Sequence, residues 1–391
     1  EEIMIALKRD QKHLWHPLTQ HKTASPPVGI VKAEGALFWD EEGQSYIDGI
    51  ASWYTAMYGH CNPHIIDAVT AQMRELDFVM FSGFTHQPAV ELSERLIELL
   101  PNKQAKIFFN DNGSTAVEAA IKMSLQYYHN KGEKRDTLIA FESGFHGDTF
   151  GAMSASGLSS YNGPFEDFLL KVERLPTPQE DTVDAVLKQL ETIAQNNRCA
   201  AFVFEPLVQG AAGMKFHSAK GLNALVSKCR ELDILCIADE IMTGFGKTGK
   251  NFASDHLEHK PDIMCLGKAL TAGLFPLSIT SCSQKVLMKK LPMLFFGGRN
   301  SHTFMHYDID LANIFHFHFA GKKQCILFPQ SETKHLYKIP HSLITREDID
   351  FSDPDLSKWP ALQHAKGYIA ELEHGNVVYI PEGYWHHMKY L

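Results

Sequence analysis

No stretch of this sequence approaches the roughly 18 consecutive apolar residues that a membrane-spanning helix needs. CxxC spacing is missing as well. The seven cysteines, at positions 61, 199, 229, 236, 265, 282 and 325, are scattered and odd in number. That pattern speaks for reduced thiols and against a disulfide framework or a zinc site. Internal repeats and low-complexity segments are absent, and the polar, helix-like first residues do not resemble a secretory leader. Positive charge is in deficit, with 37 basic against 46 acidic residues, and the net charge of −9 argues against non-specific binding to nucleic acid. The expectation is a cytoplasmic globular protein with small-molecule partners, neither nucleic acid nor membrane among them. Its 391 residues allow two or three domains, and 44% hydrophobic content is ordinary for a folded core.

What is present centres on the stretch 262–270. Ile263 to Leu266 reads as a short buried strand, followed by Gly267 and then Lys268. A lysine just past an apolar strand sits at the edge of the core, where desolvation lowers its pKa and supplies an amine that attacks a carbonyl. Taken alone, Lys268 is better explained as a snorkelling surface residue. The balance is tipped upstream. After helical spacing over residues 1–13, a small antiparallel meander over 29–47, and helices near 64–76 and 88–100, the pattern becomes strand, helix, strand, helix. Strands are expected at 107–109, 138–141, 201–204, 235–238 and 263–266, with a helix over 116–129. This predicts an α/β fold with a mostly parallel sheet covered by helices on both faces.

In open sheets of this kind ligands sit at the carboxyl ends of the strands. The first strand leads to Gly113 and Ser114 at a helix N-terminus, an anion site, although Ser114 alone reads equally as an N-cap. The second leads to Phe145, an aromatic able to lie on a heteroaromatic ring. The third ends in Glu205. The fourth ends in Asp239, an acid suited to a pyridine nitrogen, although a buried acid there is often structural. With Lys268 these describe a pyridoxal phosphate site. Residues 244–250 match GxxxxGK, but Asn251 follows where a P-loop needs Ser or Thr, so that reading is rejected.

The ordered motifs WHPLT (15–19), SWY (52–54), NGS (112–114), HGDT (146–149), EP (205–206), DEIMTGFG (239–246) and LGKALT (266–271) resemble the class III, fold type I aminotransferases. WHP.T together with SWY points to the branch that serves biotin synthesis. The resemblance covers about residues 1–288. It implies transamination of 8-amino-7-oxononanoate, Lys268 as the lysine bonded to pyridoxal 5'-phosphate, Asp239 on the pyridine nitrogen, and Gly113 and Ser114 on the phosphate. It also implies substrate contacts from Trp53, Tyr54 and Lys247, and a homodimer with its site at the subunit interface. Phe145 stands where the family has tyrosine, Leu18 where many members have tyrosine, and Lys247 where they have arginine, which leaves the amino donor open. From about Leu287 the family's partner-reaching threonine, its Gly-Asn-Pro helix and its carboxylate-binding arginine have no counterpart, so weak or absent turnover is expected.

Ten of the 21 histidines fall in the last 99 residues. There the chain alternates like an incomplete β-sandwich, with strands expected at 314–319, 324–328, 368–372 and 376–379. His306 and Asp308 would leave one face of a strand, and His386 would face them from another, with His387 as its rival. Two histidines and a carboxylate form the facial triad of iron(II) oxygenases. The stretch 291–391 resembles the JmjC or cupin-like, jelly-roll 2-oxoglutarate hydroxylases. That resemblance implies iron(II) on His306, Asp308 and His386, and the co-substrate carboxylate on Thr303 and Lys323. The expected division is an N-terminal segment 1–60, a cofactor-binding domain 61–290 and this module, 291–391. Neither activity is expected if the chain is a chimera or a fragment.

Overall fold

In the computed structural model, residues 7–81, 84–101, 104–159, 162–287, 301–307, 314–318, 320–340 and 342–391 are described. The chain divides into two compact units, Glu1–Lys290 and Leu291–Leu391.

The first unit opens with the helix Leu7–His13 and an antiparallel meander of β1 (Ile30–Glu34), β2 (Leu37–Asp40) and β3 (Ser45–Ile47). Asp40 shapes the β2–β3 turn by accepting the N–H groups of Glu42 at 3.0 Å and Gln44 at 2.9 Å. The helices Pro63–Glu75 and Gln87–Leu99 follow. Each has proline in its first turn, where the missing N–H would be unpaired anyway, and each is capped by a side chain, Asn62 or His86.

The centre is a seven-stranded sheet. Its strands are β4 (Gln104–Asn110), β5 (Thr137–Phe141), β6 (Val172–Leu175), β7 (Cys199–Phe204), β10 (Leu235–Asp239), β11 (Ile263–Leu266) and β12 (Ser278–Ser283). A two-stranded hairpin, β8 (Val208–Gln209) and β9 (Lys215–Phe216), lies between β7 and β10 in sequence. Across the sheet the order is β4–β12–β11–β10–β7–β5–β6. Ile139, Phe202, Cys236 and Met264 pack into one core with Leu96, Leu190 and Leu222. Leu138, Val203, Ile237 and Ile263 pack into another with Val117 and Ile121. With both faces covered, the central strands read as unbroken apolar runs.

Two strands escape a reading by hydrophobic pattern, β6 and β12. β12 runs antiparallel to both β11 and β4, so the sheet is mixed, not wholly parallel. The text of β12 is Ser-Ile-Thr-Ser-Cys-Ser, yet every residue is buried. The fold satisfies three of its hydroxyls individually, Ser283 at the end excepted: Ser278 donates to Asn112 O at 2.5 Å, Thr280 to Ala116 O at 2.7 Å and Ser281 to Gln104 Oε1 at 2.9 Å.

The second unit contains β13 (Ile314–Phe317), β14 (Lys323–Phe328), β15 (Tyr368–Leu372), β16 (Val377–Ile380) and β17 (Trp385–Tyr390). All pairings are antiparallel: β13 with β16, and β14 between β15 and β17. Alternate residues of β14 serve opposite faces. Ile326 packs with Met305, Leu336 and Trp385, while Cys325 and Leu327 pack with Leu372, Ile380 and Met388. His306 is joined to Ile344 and His386 by isolated bridges and lies in no strand among the described residues, contrary to expectation. Asp308 lies outside the described residues. No helix among the described residues is long and apolar enough to cross a membrane, and all seven cysteines are free.

Candidate active site

The turn after β4 delivers Asn112, which caps the helix Gly113–Asn130 with a reciprocal box. Its Oδ1 accepts the Thr115 N–H, and Thr115 Oγ1 accepts the Asn112 N–H, both at 3.1 Å. The box leaves the Gly113 and Ser114 N–H groups at the open end of the helix, with no protein acceptor among the described contacts. Ser114 Oγ accepts the Asp148 N–H at 3.1 Å and keeps its own proton to donate. The backbone around this end admits nothing larger than glycine. A Cβ on Gly147 would fall 2.1 Å from Ser114 Oγ, and one on Gly113 would fall 2.9 Å from Ile241 Cδ1.

Asp239 closes β10 and is buried. Its Oδ1 accepts the Ile241 N–H at 3.1 Å, and its Oδ2 lies 2.7 Å from His146 Nδ1. The other nitrogen of the His146 ring, Nε2, is buried without a partner. Glu205, at the end of β7, accepts the N–H groups of Phe145 at 3.0 Å and Gly210 at 2.9 Å. Burial pushes the Glu205 carboxyl up, His146 pulls it down and Asp239 pushes it up again, so the three groups share one neighbourhood. Phe145, whose backbone Glu205 holds, is half exposed. Glu240, the other acid of the pair, is structural: it accepts from Thr243 Oγ1, Ala253 N and Ser254 N.

Lys268 follows β11 in a left-handed conformation, φ 45°, at the head of a short 3-10 turn. Burial draws its pKa down, opposed by the Asp239 and Glu205 carboxylates, which places the amine within electrostatic reach of both. Its Nζ lies 5.5 Å from the centroid of the Tyr54 ring. Lys247 Nζ donates to the Tyr54 carbonyl at 3.0 Å. Trp53 and Leu18 are largely exposed, at 58% and 69%. Reading the sequence missed His146. Its partner Asp239 is 93 residues away, and the signals were its place next to Phe145 and at the head of the HGDT motif.

Pyridoxal phosphate fits this set. An open helix end with a hydroxyl donor suits a phosphate dianion, a buried acid suits a ring nitrogen, and a desolvated amine suits an aldehyde. The family model described as Aminotransferase class-III matches residues 19–306. The chain belongs to the class-III aminotransferases. The cofactor of such enzymes is pyridoxal 5'-phosphate.

Among relatives, the adenosylmethionine-8-amino-7-oxononanoate aminotransferase of Synechococcus elongatus is 42% identical over 309 residues, 77% of this chain and 72% of that protein. The enzyme of the same name from Geobacter sulfurreducens is 40% identical over 293 residues, 71% of this chain and 65% of that protein. The crystal structure of the aminotransferase of that name from Methanocaldococcus jannaschii superposes with a TM-score of 0.68 at 34% identity, over 72% of this chain and 65% of that one. An omega-transaminase from Thermomicrobium roseum gives 0.69 at 31% identity, over 74% and 69%. This chain therefore spans about two thirds of the length of the class-III proteins it matches, from 65% to 72% in these cases.

In the second unit, His306 and His386 exchange backbone hydrogen bonds of 3.1 and 2.8 Å, and their rings stand 4.2 Å apart. His387 points to the opposite face, against His302 and Phe351. Thr303 Oγ1 accepts the Met388 N–H at 3.0 Å. Lys323 is buried, with its Nζ 3.3 Å from His316 Nε2 and 4.1 Å from the Tyr390 ring centroid. His316 and His318 lie beside it, His318 against Gly321 O at 3.0 Å. No group of three or more potential metal ligands occurs among the described residues, and Asp308, the third member of the expected triad, lies outside them.

Proposed function

We propose that this chain is a pyridoxal phosphate-dependent aminotransferase whose amino acceptor is 8-amino-7-oxononanoate, as in biotin synthesis. The observation that carries the reading is the convergence of Lys268, Asp239 and Glu205 at one sheet edge, beside the open helix end at Gly113 and Ser114. The acceptor is supported by the named activity of relatives up to 42% identical.

When bound, pyridoxal phosphate supplies an electron sink for the bond that breaks at the amine-bearing carbon. Asp239, fixed by His146 and the Ile241 N–H, would hold a proton on the pyridine nitrogen. Gly113 and Ser114 would orient the phosphate, and Phe145 would cover one ring face and exclude water. Lys268, freed as a neutral amine, would take up the proton leaving the amine-bearing carbon and give it back on the cofactor side. In this reading Trp53, Tyr54 and Lys247 line the substrate side, and two copies assemble around the site. Turnover by these 391 residues is proposed to be slow, because the family's partner-reaching threonine and carboxylate-binding arginine have no counterpart after Leu287. Lys268→Ala should abolish transamination and the visible absorbance of bound cofactor together. Loss of one without the other would mean that a different lysine carries the cofactor.

A second reading applies to residues 291–391, an iron(II)- and 2-oxoglutarate-dependent hydroxylase on a cupin-like sandwich. It is favoured by one observation, the 4.2 Å approach of the His306 and His386 rings. Asp308 would complete the set, and buried Lys323 would take the co-substrate carboxylate.

A further inference from the structure

Four consecutive residues of the first unit, Ala51, Ser52, Trp53 and Tyr54, have φ values of 47°, 45°, 66° and 67°. None is glycine. Each sits in the left-handed region that L-residues avoid, so a run of four persists only where the surroundings hold it. At its start the run is anchored by Asp48, whose carboxylate accepts the Ser52 N–H at 3.0 Å and the Ser52 hydroxyl at 2.8 Å. The same carboxylate lies 2.8 Å from His60 Nε2. In the middle, Thr55 Oγ1 donates to Ser52 O at 2.6 Å. At its end the run is met from 193 residues away by Lys247 Nζ, 3.0 Å from Tyr54 O. On its other side the ring of the same Tyr54 stands 5.5 Å from Lys268 Nζ. The chain after Lys268 closes on this turn too, since a Cβ on Gly273 would come within 2.9 Å of Thr55 Oγ1.

We infer that Lys247 is a positioning residue: it clamps the left-handed turn Ala51–Tyr54 and thereby sets the Tyr54 ring as the wall that keeps the Lys268 amine dry. The inference rests on the reading of Lys268 as the cofactor-bonding lysine. A lysine suits the task because its ammonium is a compact point donor on a long stem, able to reach a single carbonyl, whereas a guanidinium presents a planar fork. Its placement also carries a charge. Burial and the nearby Lys268 hold Lys247 down to about 8, so two amines compete for protons in one partly dry space. The wall, by keeping water out, favours a neutral Lys268.

The test compares the wild-type chain with Lys247→Met, Lys247→Arg and Tyr54→Ala, each titrated with pyridoxal phosphate. Two quantities are read: hydrogen exchange of the Tyr54 and Thr55 amides, and the pH midpoint of cofactor loading followed by visible absorbance. For Lys247→Met the amides should exchange at least about tenfold faster, and the midpoint should move up by about one pH unit as water reaches Lys268. Lys247→Arg should restore most of the protection. Tyr54→Ala keeps the carbonyl and its clamp but removes the wall, so it should move the midpoint and leave exchange unchanged. An unmoved midpoint in Tyr54→Ala overturns the inference even if Lys247→Met does not fold. So does unchanged exchange in a folded Lys247→Met. Borohydride reduction and peptide mapping of the wild type keep the two readings apart. Cofactor trapped on Lys268 with unresponsive variants ends this inference alone; cofactor trapped elsewhere ends both.

Discussion

His217 ends the β8–β9 hairpin, close behind Glu205, with its Nε2 accepting the Leu207 N–H at 3.1 Å and its Nδ1 buried without a partner. Burial, reinforced by Lys215, holds its pKa down to about 4 from the usual 6.5. Between those values the unfolded chain takes up a proton that the folded chain refuses. The stability is therefore fully present above pH 6.5 and is lost as pH falls towards 4, by up to about 3 kcal/mol for a shift of this size. His217→Gln removes the titrating group and keeps an acceptor for Leu207. Its urea midpoint should fall less between pH 7 and pH 4.5 than that of the wild type. An equal fall in both would mean that the folded chain protonates the ring in place.

Strand register decides the histidines of the second unit. β17 pairs residue by residue with β14, Leu327 opposite His386 and Ile326 opposite His387, so the two imidazoles leave opposite faces. His386 turns to His306, and His387 to His302 and Phe351. If residues 291–391 bind a divalent ion as proposed, manganese(II) titrated into the full chain should bind. His386→Ala should abolish binding, and His387→Ala should leave it within about twofold, since a face is not shared across a strand. Equal loss in the two variants, or no binding by the wild type, would sink the hydroxylase reading while leaving the aminotransferase reading untouched.

For the molecule as a whole, exposed apolar surface points beyond one chain. Trp15, Ile47, Phe78, Phe168 and Phe216 of the first unit are all at least 70% exposed. Covering such side chains is one way in which two copies could pair as proposed above. Phe168 ends the short helix 163–168 and Phe216 lies in the β8–β9 hairpin, whereas Trp15 and Ile47 belong to the N-terminal segment that carries Trp53 and Tyr54. Sedimentation of the cofactor-loaded chain should give a species of about twice 44.0 kDa in the micromolar range. Replacing Trp15 and Ile47 together by serine should shift it towards the monomer. A wild type that stays monomeric throughout that range would count against a shared active site.

Local chemistry was enough to read the apolar runs of β5, β7, β10 and β11, the helix from Gly113, and the placement of Lys268 just past Leu266. Each follows from a short stretch of text: both-face burial makes a run apolar, and a turn into a helix declares itself by its cap. β12 was hidden because the buried hydroxyls of Ser278, Thr280 and Ser281 are paired one by one with distant atoms, which leaves a buried strand looking polar. The His146–Asp239 pair, the Lys247 clamp on Tyr54 and the choice between His386 and His387 were equally illegible. Their partners lie far apart in sequence, or their facing depends on a register that neighbouring residues do not set. A left-handed turn built without glycine carries no local signature, because the contacts that hold it come from elsewhere in the chain. Sequence alone determined which residues reach the sheet edge; tertiary structure decided what each one faces there, since that depends on contacts between segments that only the folded backbone brings together.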